Sequence, residues 1–550
     1  MSSSRPVRAP REHGAMVAEP PLAEAGRVLD ENRRRLAQSD ISILGRSLPE
    51  LRHQARLAAV TAARAYLLDA GEPIPSTDGA SLIMAGHQPE LFHPGVWVKH
   101  FALNGLGRRQ GVTPISLVVD NDTVKSAALQ VPDVIEPPPS LDEFRPRVMS
   151  VPFDRWTREI PYEERTVQDE DLFASLAERI PQGWGFVPLL HAFWPEVCRQ
   201  SRRTNLLGER LVAARRAWER RWGCHNLEVP VSRLSRTEPF AWFACHLLAE
   251  LPRFHAVYNG SVHDYRRAHG IRDHSHPVPD LATEGDWLET PFWAWRADQP
   301  RRGRLFARIG QRSLELRAGN DELPSLLLST QYSVLSTQHS LPSTECSSLD
   351  AEPCVAAWQD LERRGFRVRP RALTNTLYAR LFVTDLFMHG IGGGRYDELT
   401  DEIIRRFYVI EPPAYLVLSA TLLLPFTVYP ARAEHCRRLA RDARDLHWNP
   451  QRHLGTAFTP NAALRKLADQ KRDWIERRPT DRQQRRERFR MLRELTEGLR
   501  QSAAEPERRL LRKLTLCQEQ LQVNAFLQRR DYAFCLYPEA LLRPFCTQFL

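Results

Sequence analysis

Residues 81–122 constrain the fold more than any other stretch of this chain. An apolar run, Ser81-Leu-Ile-Met-Ala85, stops at Gly86-His-Gln-Pro89. A helical pattern follows over about residues 95–109, and a second apolar run, Pro114-Ile-Ser-Leu-Val-Val119, ends in Asp120-Asn-Asp122. Strand, helix and strand within about 40 residues make a crossover unit, so the two strands are predicted to be parallel neighbours. Both polar turns then fall at the carboxyl ends of their strands, the edge at which open α/β sheets take ligands.

The rest of the chain must cover that sheet. At 550 residues it holds about two to four domains' worth of sequence. With 42% hydrophobic residues it can bury a large core, which excludes wholesale disorder. No stretch approaches the ~18 consecutive apolar residues of a membrane span. The start, MSSSRPVRAPREHGAMVAEPP, has arginines but no apolar h-region. It reads as a disordered tail over residues 1–20 and not as a secretory signal. Nine cysteines, an odd number without a C-x-x-C pair, argue against a disulfide framework or a zinc ribbon and fit a reducing cytoplasm. None is assigned as a nucleophile, and no metal site is expected.

Beyond the tail, residues 21–139 hold two amino-terminal helices and the crossover unit, the first half of a core. Residues 140–365 mix short strands, helices and loops, with a strand pair around 292–296 and 305–317, and read as a large insertion. The Ser/Thr/Gln-rich stretch 329–348 reads as a linker. The α/β pattern returns over 366–430, with strands at 366–370, 386–389 and 414–418, and completes the core. Residues 431–530 become Arg-, Glu-, Leu- and Gln-rich, with apolar sets such as Leu464, Leu467, Trp474 and Ile475. Two long helices around Pro479-Thr-Asp481 would form an antiparallel coiled-coil hairpin. Residues 531–550 are left as a carboxyl-terminal tail. The expected class is α/β, a parallel-sheet core split by a mixed insertion and followed by a helical hairpin. That hairpin carries about +12 of the net +10, leaving about −2 elsewhere.

Four constellations carry candidate chemistry. In Gly86-His-Gln-Pro-Glu-Leu-Phe-His93, Gly86 lets the backbone turn and approach a ligand, with Gln88 beside it. His87 and His93 can donate to phosphate or shuttle protons, and Lys99 lies one turn inside the helix, able to neutralise an anion. A tight strand–helix turn with locally satisfied histidines explains the same residues equally well. Asp120 and Asp122 suit Mg²⁺, a ribose or an ammonium, but are also ordinary turn residues. Gly392, Gly393 and Gly394, between a strand and a helix, make a backbone anion cradle with Arg395 as a further contact. The spacing is neither a Walker A loop nor G-x-G-x-x-G, and close packing would use the same glycines. Finally, four histidines lie in residues 263–276, without H-E-x-x-H, so a polar substrate loop holding Tyr258, Asn259 and His263 is favoured over a metal.

The first and third motifs, at their spacing in the chain, resemble the bacillithiol-biosynthesis cysteine-adding enzyme family. Its T-G-Q-Q strand end corresponds to Ala85-Gly86-His87-Gln88, and its G-L-F-x-G-P-L-Y turn to Leu91-Phe92, Pro94-Gly95 and Trp97. Its E-D-H-D cluster is reduced to Asp120-Asn121-Asp122. Its R-P-R-x-L segment is kept as Arg369-Pro370-Arg371-Ala372-Leu373, and its G-G-P-G-E turn becomes Gly392-Gly393-Gly394 without the proline. The motifs cover residues 80–125 and 366–430, with 431–530 similar in helical character and 140–365 not aligned. The resemblance implies a Rossmann-type core with connective insertions and a coiled coil, and a ligase that joins cysteine to an amino-sugar acceptor. A histidine stands for the first glutamine and an asparagine for the cluster's histidine. An imidazole moved to the neighbouring strand, an altered substrate and lost activity all fit that exchange.

The function expected on this reading is a cytoplasmic cysteine-adding type of ligase forming a carbon–nitrogen bond. His87, His93, Asp120 and Asp122 would be its catalytic groups, and ATP or ADP with Mg²⁺ its candidate cofactors. Its partners are small-molecule substrates and a second copy through the coiled coil, with no membrane. One alternative is a nucleotide-binding protein gripping nucleic acid through Arg482, Arg485, Arg486, Arg488 and Arg490. That run has few aromatics and no recognition motif, and fits a solvated helix face better. Another is a non-catalytic dimeric scaffold.

Overall fold

A computed structural model describes residues 7–77, 79–309, 313–319, 321–327, 351–456 and 461–550. Six strands form its central sheet: β1 (Met16–Glu19), β2 (Leu82–His87), β3 (Thr113–Val118), β4 (Leu227–Pro230), β5 (Leu386–His389) and β6 (Leu416–Ala420). Their order is β1-β6-β5-β2-β3-β4. All neighbours are parallel except β1, which lies antiparallel on β6 with Met16 opposite Ala420. The parallel strands, counted in chain order, lie 3-2-1-4-5, so the winding reverses between β2 and β5.

β2 shows why the strand runs are unbroken. Ile83 and Ala85 face one hydrophobic core, with Trp97, Phe101 and Met388. Leu82 and Met84 face the other, with Ala55, Ile115, Val229 and Phe387. A strand covered on both faces has no solvent side to mark with polar residues. Helix Leu48–Asp69 covers one face, and helix Pro94–Gln110 the other. The second helix starts hard against β6: a Cβ on Gly95 would lie 2.2 Å from the Ala420 carbonyl oxygen, a separation no side chain tolerates.

Several boundaries differ from the sequence reading. Residues 16–19 are the sheet edge and not a disordered tail; Gly14 N–H donates to the Thr421 carbonyl nearby. Residues 531–550 are not a tail either, since helix Glu539–Thr547 packs on helix Pro94–Gln110, with Tyr537 and Leu542 buried. Residues 140–365 are not wholly an insertion, because they supply β4. Strand Phe366–Pro370 leaves the core and joins an antiparallel sheet, paired with Trp287–Arg296. Strands Gln299–Ile309, Ser313–Ala318 and Asp321–Leu327 complete that second sheet. The reading of 329–348 as a linker lies outside the described residues.

At the carboxyl end, helix Arg482–Leu527 packs against helices Ala433–Trp448 and Ala462–Glu476. Its 46 residues run for about 69 Å at 1.5 Å per residue. Against the expectation from cysteine spacing, Cys436 and Cys517 form a disulfide across 81 residues, within the small cluster that holds Leu439. Among the described residues, no helix is long and apolar enough to cross a membrane.

Candidate functional site

The carboxyl ends of β2 and β5 are neighbours, and a buried ammonium lies between them. Lys99 is 3% exposed. Its Nζ sits 3.4 Å from the Gly86 carbonyl oxygen and 3.9 Å from where a Cβ on Gly390 would stand. Among the described residues no carboxylate pairs with it. Burial lowers its pKa to about 8, so the ammonium is held in a poorly solvating place. Gly390 caps helix Ile391–Ile403, so the first N–H groups of that helix have no partner within it. An ammonium beside the positive end of a helix is a site for a phosphate or a carboxylate.

The glycines do not form the expected open cradle. The helix begins at Ile391, so Gly392–Gly394 form its first turn and do not lie ahead of it. A Cβ on Gly393 would lie 2.8 Å from His389 Nδ1, and one on Gly394 2.6 Å from Val417 Cγ2, whereas Gly392 faces open space. Two of the three glycines therefore let the helix approach β5 and β6. The Arg395 side chain is exposed, and its carbonyl accepts from the Tyr265 hydroxyl at 3.3 Å.

His389, which ends β5, was not singled out in the sequence. Its Nε2 lies 2.8 Å from Asp397 Oδ2, and Arg380 Nη1 donates to the same oxygen at 2.6 Å. Burial alone would raise the Asp397 carboxyl, but Arg380 and His389 outweigh it and hold it well below the usual carboxylate range. The ionised carboxylate accepts from Nε2, and Nδ1 is turned towards the glycine turn. His87 and His93 behave differently. Burial and the charge of Lys99 keep His87 well below its ordinary value, and its Nδ1 lies 3.2 Å from the Gln88 carbonyl oxygen. Burial and Arg530 lower His93 to about 4, and its Nδ1 is buried without a partner. Both rings are neutral at neutral pH.

Asp120 and Asp122 do not converge, which corrects their pairing as a shared Mg²⁺ or amine site. Asp120 accepts from the Ser232 N–H at 2.9 Å and from the Ser232 hydroxyl. Burial and the nearby Glu163 push it up to about 7. Asp122 accepts from Gln88 Nε2 and from Arg302 Nη1, each at 3.0 Å. It lines a separate cavity of about 200 Å³ with Gln88, Tyr258, Trp293, Arg302 and Arg371. There two guanidinium groups stack on the Trp293 ring, Arg302 at 4.5 Å and Arg371 at 4.1 Å. Asn121 Nδ2 donates to the Pro370 carbonyl at 2.8 Å and ties the aspartate turn to the Arg-Pro-Arg segment.

The expected histidine loop is a helix, Leu251–His269. Tyr258 reaches the cavity, but Asn259 is bonded both ways to the Leu281 backbone, at 2.9 and 2.8 Å, and His263 is exposed. The buried group His100, Glu219 and Glu228 is close enough to hold a cation, yet guanidinium groups already fill it. Arg215 bonds both glutamates and Arg216 bonds Glu228.

Beside the expected Gly86, His87, Gln88, Lys99, Asp122 and Tyr258, the edge thus includes His389, Asp397, Trp293, Arg302 and Arg371. The only local signal for the dyad was a histidine before the glycine turn and an aspartate after it. No family model matches the chain, and no curated protein matches it in sequence.

Proposed function

We propose that this chain is a ligase of the cysteine-adding kind, built on a Rossmann-type core with a coiled-coil hairpin, acting on small anionic substrates at the carboxyl ends of β2 and β5. The observation that carries this reading is Lys99, a buried ammonium with no carboxylate partner beside a helix amino terminus. A cation kept there at a cost in desolvation implies an anion that shares the site. The 3-2-1-4-5 strand order puts Lys99 at the winding reversal, where doubly wound sheets take their ligands.

The residues fit the phosphates of a nucleotide better than they fit its metal. Lys99 and the N–H groups of Ile391 and Gly392 would hold an anionic oxygen, but Asp120 and Asp122 have separate partners and cannot share one Mg²⁺. On this reading, His389 Nδ1 takes the proton released when an amine nitrogen bonds to a phosphate-activated carboxyl carbon, and the carbon–oxygen bond to the phosphate breaks with its electron pair leaving on the phosphate. Asp397 steadies the imidazolium that results. Trp293, Arg302, Arg371 and Asp122 would orient the polar body of the substrate.

A thermal-shift plate tests the proposal with ATP, ADP, cysteine and glucosaminyl malate against the wild type and Lys99→Met. Ligand at ~100 Kd stabilises the native state by about 2.7 kcal/mol. The expected result is a shift by at least one anionic ligand in the wild type that disappears in Lys99→Met. A folded protein that none of the four ligands shifts, or equal shifts in both proteins, would overturn it.

A further inference from the structure

Among the described residues many arginines are tied to carboxylates, as in Arg165–Asp154, Arg369–Glu163 and Arg380–Asp397. The free end of the helical arm breaks that habit. Between Lys471 and Arg490 nine basic side chains stand against four acidic ones. Among the described residues, none of Arg478, Arg482, Arg486 and Arg490 pairs with a carboxylate, and all four are exposed. Three arginines, Arg482, Arg485 and Arg486, crowd the first turns of helix Arg482–Leu527, where the helix dipole disfavours positive charge.

Tertiary structure also brings aromatic side chains to this end. Arg488, next to Phe489, donates to the Trp474 carbonyl at 2.9 Å and to the Ile475 carbonyl at 2.7 Å, clamping the two helices together. Phe489 is 69% exposed, and Arg477 stacks over the Trp474 ring at 4.0 Å. An exposed ring among unpaired guanidinium groups suits a strand whose phosphates need cations and whose bases are free to stack. A duplex hides its base faces. Repulsion between like-charged tips disfavours a second copy of the arm at this place.

We infer that the tip of the helical arm binds single-stranded nucleic acid, with Arg482, Arg486 and Arg490 on phosphates and Phe489 against a base. The inference stands independently of the proposed ligase activity. It is tested by fluorescence anisotropy with a labelled 20-nucleotide single-stranded RNA, the matching duplex, and vesicles with anionic headgroups.

Three phosphate contacts predict about a twentyfold loss of affinity between 50 and 200 mM salt. R482E/R486E/R490E should lose at least about tenfold at 50 mM salt, and Phe489→Ala about five- to tenfold on the single strand only. Circular dichroism checks the helix, and the triple Arg→Gln variant replaces the charge reversal if that variant unfolds. No binding at 50 mM salt, or unchanged binding in the triple variant, would overturn the inference. So would duplex or vesicle binding as tight as the single strand with no effect of Phe489→Ala.

Discussion

His389 Nε2 and Asp397 Oδ2, 2.8 Å apart, join the end of β5 to the second turn of the helix that follows it. Arg380 donates to the same oxygen and reaches Asp401 as well, both at 2.6 Å. Removing the charge from Asp397 leaves Arg380 buried with half its partners. Asp397→Asn should destabilise the fold by about 3 kcal/mol, the usual cost of breaking a buried pair from one side. Urea unfolding at pH 7 measures it, and a loss under about 1 kcal/mol would mean that the pair carries little.

Lys99 should be a stability cost in the absence of an anion. Burial moves its pKa from 10.5 down to about 8, so between those values the unfolded chain binds more protons than the native one. Stability contributed by this group therefore rises as pH climbs from about 8 to 10.5, and the full penalty, about 3 kcal/mol, applies below pH 8. Lys99→Met should be more stable than the wild type at pH 7, with the gap closing by pH 10.5. Paired urea titrations at pH 7, 9 and 10.5 decide it. A variant that is less stable at pH 7 would show that the ammonium is well partnered.

Asp120 has the opposite titration. Burial, then Glu163, raise its carboxyl from 3.8 to about 7, so the native state holds a proton that the unfolded chain has lost. The stability this gives is complete below about pH 4 and gone once pH passes 7. Asp120→Asn, which keeps the neutral shape, should gain on the wild type by up to about 4 kcal/mol between pH 4 and pH 8. Thermal melts of both proteins across that range test the slope, and parallel curves would count against it.

The glycine turn separates packing from open space residue by residue. A Cβ on Gly393 meets His389 Nδ1 at 2.8 Å, whereas one on Gly392 meets nothing within 4 Å. Gly393→Ala should cost about 1–3 kcal/mol as the ring or helix shifts. Gly392→Ala should be neutral or stabilising by up to about 1 kcal/mol, because alanine favours the helix. Equal effects at the two positions would refute the packing role of Gly393.

How legible the molecule was depended on the range of the signal. The β2–helix–β3 unit could be read because its evidence is local: continuous apolar runs, a turn at each end and a helical period between. The helices flanking Pro479-Thr-Asp481 were legible for the same reason. Phe366–Pro370 is a strand as expected, but its residues carry no mark of which sheet they join, and only pairing with Trp287–Arg296 decides that. Strand Leu227–Pro230 is four residues long, and Met16–Glu19 lies among prolines and charges. Neither has enough periodicity to stand out from loop.

Sequence alone determined the parallel crossover unit, the glycine-marked edge and the concentration of positive charge after residue 431, since each depends on neighbours within a few turns of chain. Only the tertiary structure decided that Asp120 and Asp122 face different partners and that Lys99 has no carboxylate beside it. It also decided that Arg302 and Arg371 both stack on Trp293, and that His389 is held by Asp397. Those relationships depend on contacts and solvent exclusion between distant segments, and burial, not residue type, sets what such charges cost and what they attract.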